Sequence, residues 1–117
     1  MQLFGIPNCN TVQNARDWLT AHHIEFEFLD FKKGVVNEAL LTEWLKQQPW
    51  ETLVNRAGMT WRNLAEDEKS LVIDANAALN LMLQKTSVIK RPVLVNDGRI
   101  LNLGFTEATY RALFDVK

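Results

Sequence analysis

The sequence predicts an α/β fold in which helices pack on a mixed sheet of four strands. Two observations lead to this prediction. The first thirty residues follow a strand–helix–strand order, and an Asp97-Gly98 pair separates two β-prone runs near the end of the chain. A strand–helix–strand unit gives parallel strands joined by a right-handed crossover, whereas Asp-Gly favours the tight turn of an antiparallel hairpin. The sheet should therefore contain both kinds of pairing.

The strand–helix–strand unit starts at Met1–Phe4, which we interpret as a short buried strand. Gly5, Pro7 and Asn8 then turn the chain, and a helix follows from about Asn10, which with Asn8 is a candidate cap, to His22. Apolar residues at three- and four-residue spacings give this helix one buried face, formed by Val12, Ala15, Trp18 and Leu19.

The second strand is predicted over Ile24–Phe31, where apolar and polar residues alternate. A helical block follows, with one helix over residues 37–48 that Pro49 ends. Residues 70–85 are also rich in helical signals, with a break at Asp74 or Asn76. We interpret about residues 37–86 as a helical insertion beside the sheet.

The hairpin over residues 93–103 is followed by a last helix that Thr106 caps and that ends at about Phe114. Phe105 and Tyr110 are spaced as a hydrophobic staple at its start. A βαβ unit followed by a β-hairpin and a helix is the connectivity of a thioredoxin-like domain. The whole chain, residues 1–117, is predicted to form one such domain.

The composition of the chain argues against several classes of function. The chain has 117 residues, 47% of them hydrophobic, a net charge of −1 and one cysteine. It therefore forms no internal disulfide, which favours the cytoplasm, and it lacks the basic surplus typical of direct nucleic-acid binding. No apolar run approaches the roughly 18–20 residues that cross a bilayer, so no membrane association is expected. Nothing requires a bound metal, nucleotide or flavin.

Cys9 is the candidate nucleophile. It follows the first strand, at or just before the start of the first helix, where unpaired N–H groups and the helix dipole favour a thiolate. In a thioredoxin-like domain this loop faces the turn that enters the third strand, which would bring Cys9 close to Arg91-Pro92. The alternative interpretation is a small buried residue that only packs, as lone cysteines often do.

Five segments, in this order and at this spacing, resemble the ArsC/Spx family of arsenate reductase-like proteins, most closely its YffB branch: Asn8-Cys9-Asn10-Thr11, Asn55-Arg56, Trp61-Arg62, Lys90-Arg91-Pro92 and Leu103-Gly104-Phe105. The resemblance implies a thioredoxin fold with a helical insertion.

In members that reduce arsenate, the cysteine matching Cys9 attacks the arsenic, and glutathione and glutaredoxin resolve the adduct. Arginines matching Arg56 and Arg91 lower the thiol pKa and hold the oxyanion, a role that suits the guanidinium fork. The resemblance thus implies Cys9, Arg56 and Arg91 as catalytic residues. The substrate-binding candidates are Asn8, Asn10, Thr11, Arg62 and Pro92.

Two positions depart from the family pattern. Arsenate reductases of the family carry a third arginine close to where this chain has Leu103, which binds no oxyanion. Spx-type regulators usually have a Cys-x-x-Cys switch, but the second position here is Val12. What remains is a one-cysteine site similar to that of a monothiol glutaredoxin, which needs an external thiol to resolve its oxidised form.

Three hypotheses follow. The leading one is a glutathione-dependent thiol oxidoreductase with glutathione as cosubstrate and glutaredoxin as a candidate partner. The second is a Spx-like regulatory protein that contacts RNA polymerase. The third is a domain that retains the fold with an inert Cys9, because a fold does not by itself fix a function.

Overall fold

The computed structural model describes residues 1–116, which form two compact units. The first unit comprises residues 1–35 together with the chain from Arg91 onward, and the second comprises residues 36–90. This division does not test the prediction of a single domain with an insertion over about residues 37–86, which stays a prediction.

The first unit contains the sheet, two α-helices and a short 3-10 helix over Phe31–Lys33. Its strands are β1 (Gln2–Gly5), β2 (Glu27–Asp30), β3 (Val93–Asn96) and β4 (Arg99–Leu103), and its α-helices are α1 (Asn10–Ala21) and α7 (Glu107–Leu113). The strand order is β2-β1-β3-β4; β1 pairs in parallel with β2, and the β1–β3 and β3–β4 pairs are antiparallel. The predicted mixed four-strand sheet is confirmed, and β1 lies inside it.

The hairpin turn and the start of α7 have the structures that the sequence predicted. Asp97 and Gly98 have φ angles of 51° and 77°, the left-handed conformations that a two-residue hairpin turn needs. The Thr106 hydroxyl accepts a hydrogen bond from the Thr109 N–H at the start of α7. The Phe105 and Tyr110 rings meet edge to face, 4.6 Å between centroids, as the staple predicted.

The second unit is helical. Its helices are α2 (Glu38–Gln47), α3 (Trp50–Leu53), α4 (Met59–Arg62), α5 (Glu66–Leu71) and α6 (Ala75–Gln84). The side chains of Asn37 and Asp74 cap α2 and α6 by accepting backbone N–H groups, so the predicted break at Asp74 is confirmed. None of the helices within residues 1–116 is long and apolar enough to cross a membrane.

Three local predictions were wrong. The second strand begins at Glu27 rather than Ile24, because its partner β1 offers only four residues, from Gln2 to Gly5. The N-cap position of α1 is occupied by Cys9, whose side chain makes no capping hydrogen bond, and not by Asn8 or Asn10. Gly5 is the last residue of β1 rather than part of the turn.

Candidate functional site

Cys9 is held at the junction between β1 and α1. The chain leaves β1 at Gly5, and Cys9 takes the N-cap position with an extended backbone, φ −105° and ψ 125°. Its carbonyl oxygen accepts the first helical hydrogen bond from the Gln13 N–H at 2.9 Å. The residue is half-buried and its thiol is free of any disulfide, so the sulfur sits at the start of a helix and within reach of solvent.

Arg91 lies beside this sulfur. It is half-buried at the entry to β3, where the Arg91–Pro92 peptide bond is cis. Its side chain hydrogen-bonds to Cys9, and its Nε atom is shielded from solvent. The predicted approach of Cys9 to Arg91-Pro92 is therefore seen within the first unit, because β1 and β3 are neighbours in the sheet.

The surroundings of Cys9 favour the thiolate. Burial raises its pKa, since a charge is poorly solvated there, and this is the largest single influence. The Val12 N–H, the hydrogen bond and charge of Arg91, and the Thr11 N–H all lower it, and together they outweigh burial. The pKa of the Cys9 thiol is therefore below its ordinary value, which is the electrostatic setting of a reactive cysteine.

The thiolate is not held as an ordinary N-cap oxygen would be. The Cys9 side chain makes no capping hydrogen bond to the first turn of α1. The Val12 and Thr11 amides still act on it through the positive end of the helix. The strength of this interaction depends on where the first turn of α1 lies relative to the sulfur.

The other loop candidates differ in what they offer. Asn8, Asn10 and Thr11 are exposed around Cys9, so their side chains are accessible to a bound molecule. Pro92 is buried, has no N–H, and its carbonyl oxygen accepts from the Gly104 N–H at 2.8 Å. Pro92 therefore presents an apolar surface rather than a polar contact.

Arg56 and Arg62 belong to the second unit, where both are exposed. The Arg56 guanidinium carbon lies 5.7 Å from the centroid of the Trp50 ring, a cation–π contact that limits where this side chain rests. Arg62 is the last residue of α4. The site that can be described within one unit is thus the pair of Cys9 and Arg91.

Leu103 and Asn102 occupy the part of the chain where arsenate reductases of the family carry a third arginine. Leu103 is half-buried at the end of β4 and pairs with Val93 of β3. The neighbouring Asn102 donates its side-chain amide to the Gly104 carbonyl oxygen at 3.0 Å. Both residues thus stabilise the end of the hairpin, and neither supplies a positive charge.

Among residues 1–116, no group of three or more His, Cys, Asp or Glu side chains is placed to hold a metal ion. His22 instead has a structural contact, with its Nδ1 atom 2.8 Å from the Trp18 carbonyl oxygen and its ring stacked on Trp18.

Val12 and Gly5 are two residues near Cys9 whose part in the site was not predicted from the sequence. The Val12 N–H is one of the groups that lower the Cys9 pKa, and the Val12 side chain packs against Gly5. The sequence identified Val12 as a residue of the buried helix face and as the position of a missing second cysteine, but not as a neighbour of Gly5. No local signal connects two positions seven residues apart on different elements.

Residues 4–113 match the sequence model described as the ArsC family. A solved structure of a YffB protein is 40% identical, with a TM-score of 0.87 over 96% of each chain. That of an arsenate reductase related protein from Brucella melitensis is 46% identical, with a TM-score of 0.79 over 97% of this chain and 92% of that one. The global transcriptional regulator Spx of Streptococcus agalactiae is 26% identical over 94% of this chain and 80% of its own length.

Proposed function

This chain belongs to the ArsC family, and from that premise we propose that it is a glutathione-dependent thiol reductase with Cys9 as its nucleophile. The observation that supports this most directly is the position of Arg91, whose charge and hydrogen bond favour the Cys9 thiolate. A thiolate, rather than a thiol, attacks disulfide sulfur.

The proposed reaction reduces a mixed disulfide between glutathione and a second thiol compound in two exchanges. The Cys9 thiolate attacks the glutathione sulfur, a Cys9–glutathione disulfide forms, and the second compound leaves as a thiolate that takes up a proton. A free glutathione thiolate then attacks the glutathione sulfur of that adduct, which releases oxidised glutathione and restores the Cys9 thiolate. The single cysteine of the chain is sufficient because the second thiol comes from solution.

Arg91 would serve both steps. Its positive charge stabilises the thiolate before attack and again as the leaving group of the second exchange. A guanidinium also binds carboxylates through two parallel hydrogen bonds, and glutathione carries two carboxylates. We assign the same anion-binding role to Arg56, with Arg62 and the exposed Asn8, Asn10 and Thr11 as further contacts.

A disulfide-exchange assay tests the proposal. Wild-type protein is supplied with a glutathionylated peptide and reduced glutathione, and the release of peptide thiol is measured together with the mass of the protein. We expect turnover and a Cys9–glutathione adduct. Cys9→Ser should abolish both, whereas Arg99→Ala, which removes an exposed arginine from the hairpin, should leave both unchanged. Full activity in Cys9→Ser would overturn the proposal.

Arsenate reduction is a narrower form of the same chemistry. The Brucella melitensis relative is described as arsenate reductase related, but Leu103 provides no guanidinium for the oxyanion. We therefore expect glutathionylated substrates to be preferred over arsenate. Arsenate turnover with glutathione and glutaredoxin supplied, equal to that of the disulfide reaction, would contradict this preference.

A regulatory function is the second candidate, favoured by the similarity to the regulator Spx. We propose in that case that the chain contacts RNA polymerase without a disulfide switch, since Val12 stands where a second cysteine would be needed. A pull-down with the purified α subunit of RNA polymerase tests it. Recovery of the subunit would support this candidate, and no recovery would remove it.

A further inference from the structure

Gly5 is a glycine for a reason other than backbone freedom. It is buried at the end of β1, and it is not among the glycines with a positive φ angle. Any residue could therefore adopt its backbone conformation. Position 5 must therefore be a glycine because of the atoms that a side chain there would meet.

That space is occupied by Val12. A Cβ atom added to Gly5 would lie 2.8 Å from Val12 Cγ2 and 3.1 Å from Val12 Cγ1. The first distance is shorter than real carbon atoms tolerate, so a side chain at position 5 would force one of the two elements to move.

Neither partner has an easy way to yield. Val12 is fully buried, and a valine in a helix has one strongly preferred χ1 rotamer, so its methyl groups cannot turn aside. Gly5 pairs with Asp30 of β2, and the preceding Phe4 pairs with Val93 of β3. Because β1 is held on both sides by the sheet, the part left to move is the first turn of α1.

The first turn of α1 carries the amides that act on Cys9. The Val12 N–H is one of the groups that lower the pKa of the thiol, together with Arg91 and the Thr11 N–H. Its effect depends on its distance from the sulfur, because an electrostatic interaction weakens as the separation grows. A displacement of the turn would therefore weaken the contact.

We propose that Gly5 is a positioning residue for the Cys9 nucleophile: by lacking a side chain, it lets Val12 seat against β1 and holds the Val12 N–H at the sulfur. The inference rests on the proposed role of Cys9 and adds a residue that touches neither substrate nor sulfur. It also assigns a function to Val12, whose side chain sets the position of its own amide.

The test compares the pH dependence of Cys9 alkylation in wild type, Gly5→Ala, Val12→Ala and the double variant. We expect Gly5→Ala to raise the Cys9 pKa and to slow alkylation at pH 7 about three- to tenfold. The double variant should recover the rate of Val12→Ala, because the nearest remaining atom, the Cβ at position 12, would be 3.5 Å away, which is ordinary contact.

Leu19→Ala is the control for a merely structural effect. Leu19 is fully buried in the same helix, two turns beyond Val12, so its truncation should lower stability and leave the Cys9 pKa unchanged. An unaltered pKa in Gly5→Ala would overturn the inference. So would a raised pKa that the double variant does not reverse.

A second measurement needs no variant and so does not depend on Gly5→Ala folding. In wild type, the Val12 amide proton should move downfield as Cys9 ionises, more than that of Gln13, which donates to the Cys9 carbonyl instead. Equal shifts would contradict the inference. A Cys9 pKa in wild type at or above the ordinary value would instead count against the proposed function, so the two failures are distinguishable.

Discussion

At the scale of single residues, Arg91 is the charge on which the Cys9 thiolate most depends. We predict that Arg91→Ala raises the Cys9 pKa, because it removes both a hydrogen bond and a positive charge beside the sulfur. Arg91→Lys should fall between wild type and Arg91→Ala, since it keeps the charge and loses the planar fork. The pH dependence of the alkylation rate measures the Cys9 pKa in all three proteins.

Arg99→Ala is the control for Arg91→Ala, because it removes an exposed arginine at the start of β4, in the hairpin that follows Arg91. Its Cys9 pKa should equal that of wild type. A pKa unchanged in Arg91→Ala, or raised equally in Arg99→Ala, would show that Arg91 is not the cause.

Ionisation of Cys9 also predicts a pH dependence of stability. Because the pKa of Cys9 is lower in the folded than in the unfolded chain, the thiolate stabilises the fold fully above the unfolded pKa of about 8.5, and this contribution is lost as the pH falls through the folded pKa. Wild type should therefore gain stability relative to Cys9→Ser as the pH rises from neutral. Urea unfolding of both proteins measures this, and a constant difference would contradict it.

Tyr110, also in the first unit, has a raised pKa, so its effect on stability changes with pH in the direction opposite to that of Cys9. It is fully buried, and within residues 1–116 its hydroxyl has no hydrogen-bond partner. Burial raises the pKa of Tyr110 strongly, so its contribution to stability is present below about pH 10 and is lost as the pH rises further. We predict that the phenolate of this only tyrosine appears together with alkaline unfolding.

Tyr110→Phe tests the same point independently. The variant removes a buried hydroxyl that has no hydrogen-bond partner among the described residues, so it should be neutral or stabilising near pH 7 and should unfold at a higher pH than wild type. Phenolate absorbance that appears in the folded wild type near pH 10 would contradict the expectation.

The pairing of Cys9 with Arg91 was predictable because a thiol and a guanidinium are recognisable reactive groups and the order of the strands places them close together. A cysteine after β1 and an arginine before β3 lie at the same edge of the sheet if β1 and β3 are antiparallel neighbours. The steric relation between Gly5 and Val12 was not predictable, because it depends on how closely a helix approaches a strand. That distance is set by tertiary packing and leaves no mark in the local sequence.

At the scale of elements, side chains that satisfy the free N–H groups determine where helices start. Thr106, Asn37 and Asp74 each accept a backbone N–H at the start of their helix, and these starts agree with the prediction to within a residue. The start of α5 at Glu66 was missed because Ala65 has no capping side chain; the Ala65 N–H is instead bound by Glu68 at 3.3 Å. A cap supplied from inside the helix is a weaker sequence signal.

Thr106 allows this dependence to be measured. We predict that Thr106→Ala lowers the free energy of unfolding by about 1 kcal/mol, because the Thr109 N–H loses its acceptor. Thr42→Ala is the matched control, since Thr42 is exposed inside α2, where alanine has the higher helix propensity. Chemical denaturation measures both, and a loss in Thr42→Ala equal to that in Thr106→Ala would contradict the capping role.

At the scale of the whole molecule, the two outer strand pairs of the sheet were predictable and the division of the chain was not. Two rules, the parallel βαβ crossover and the Asp-Gly hairpin, are sufficient to connect β2-β1 and β3-β4. No rule of local sequence states whether residues 36–90 unfold with the sheet, because cooperativity depends on the energy of all contacts together.

Cooperative unfolding tests the single-domain prediction. Leu94 is fully buried in the first unit and Leu41 in the second, and truncating such a leucine to alanine typically costs about 2–5 kcal/mol. If the chain is one domain, Leu94→Ala and Leu41→Ala each lower the midpoint of one common transition. Trp18→Phe leaves fluorescence from Trp44, Trp50 and Trp61, all in the second unit, while far-ultraviolet circular dichroism follows the whole chain. Coincident transitions by both probes would support one cooperative domain, whereas a Leu94→Ala variant that loses part of its circular dichroism before this fluorescence changes would show that the two units unfold separately.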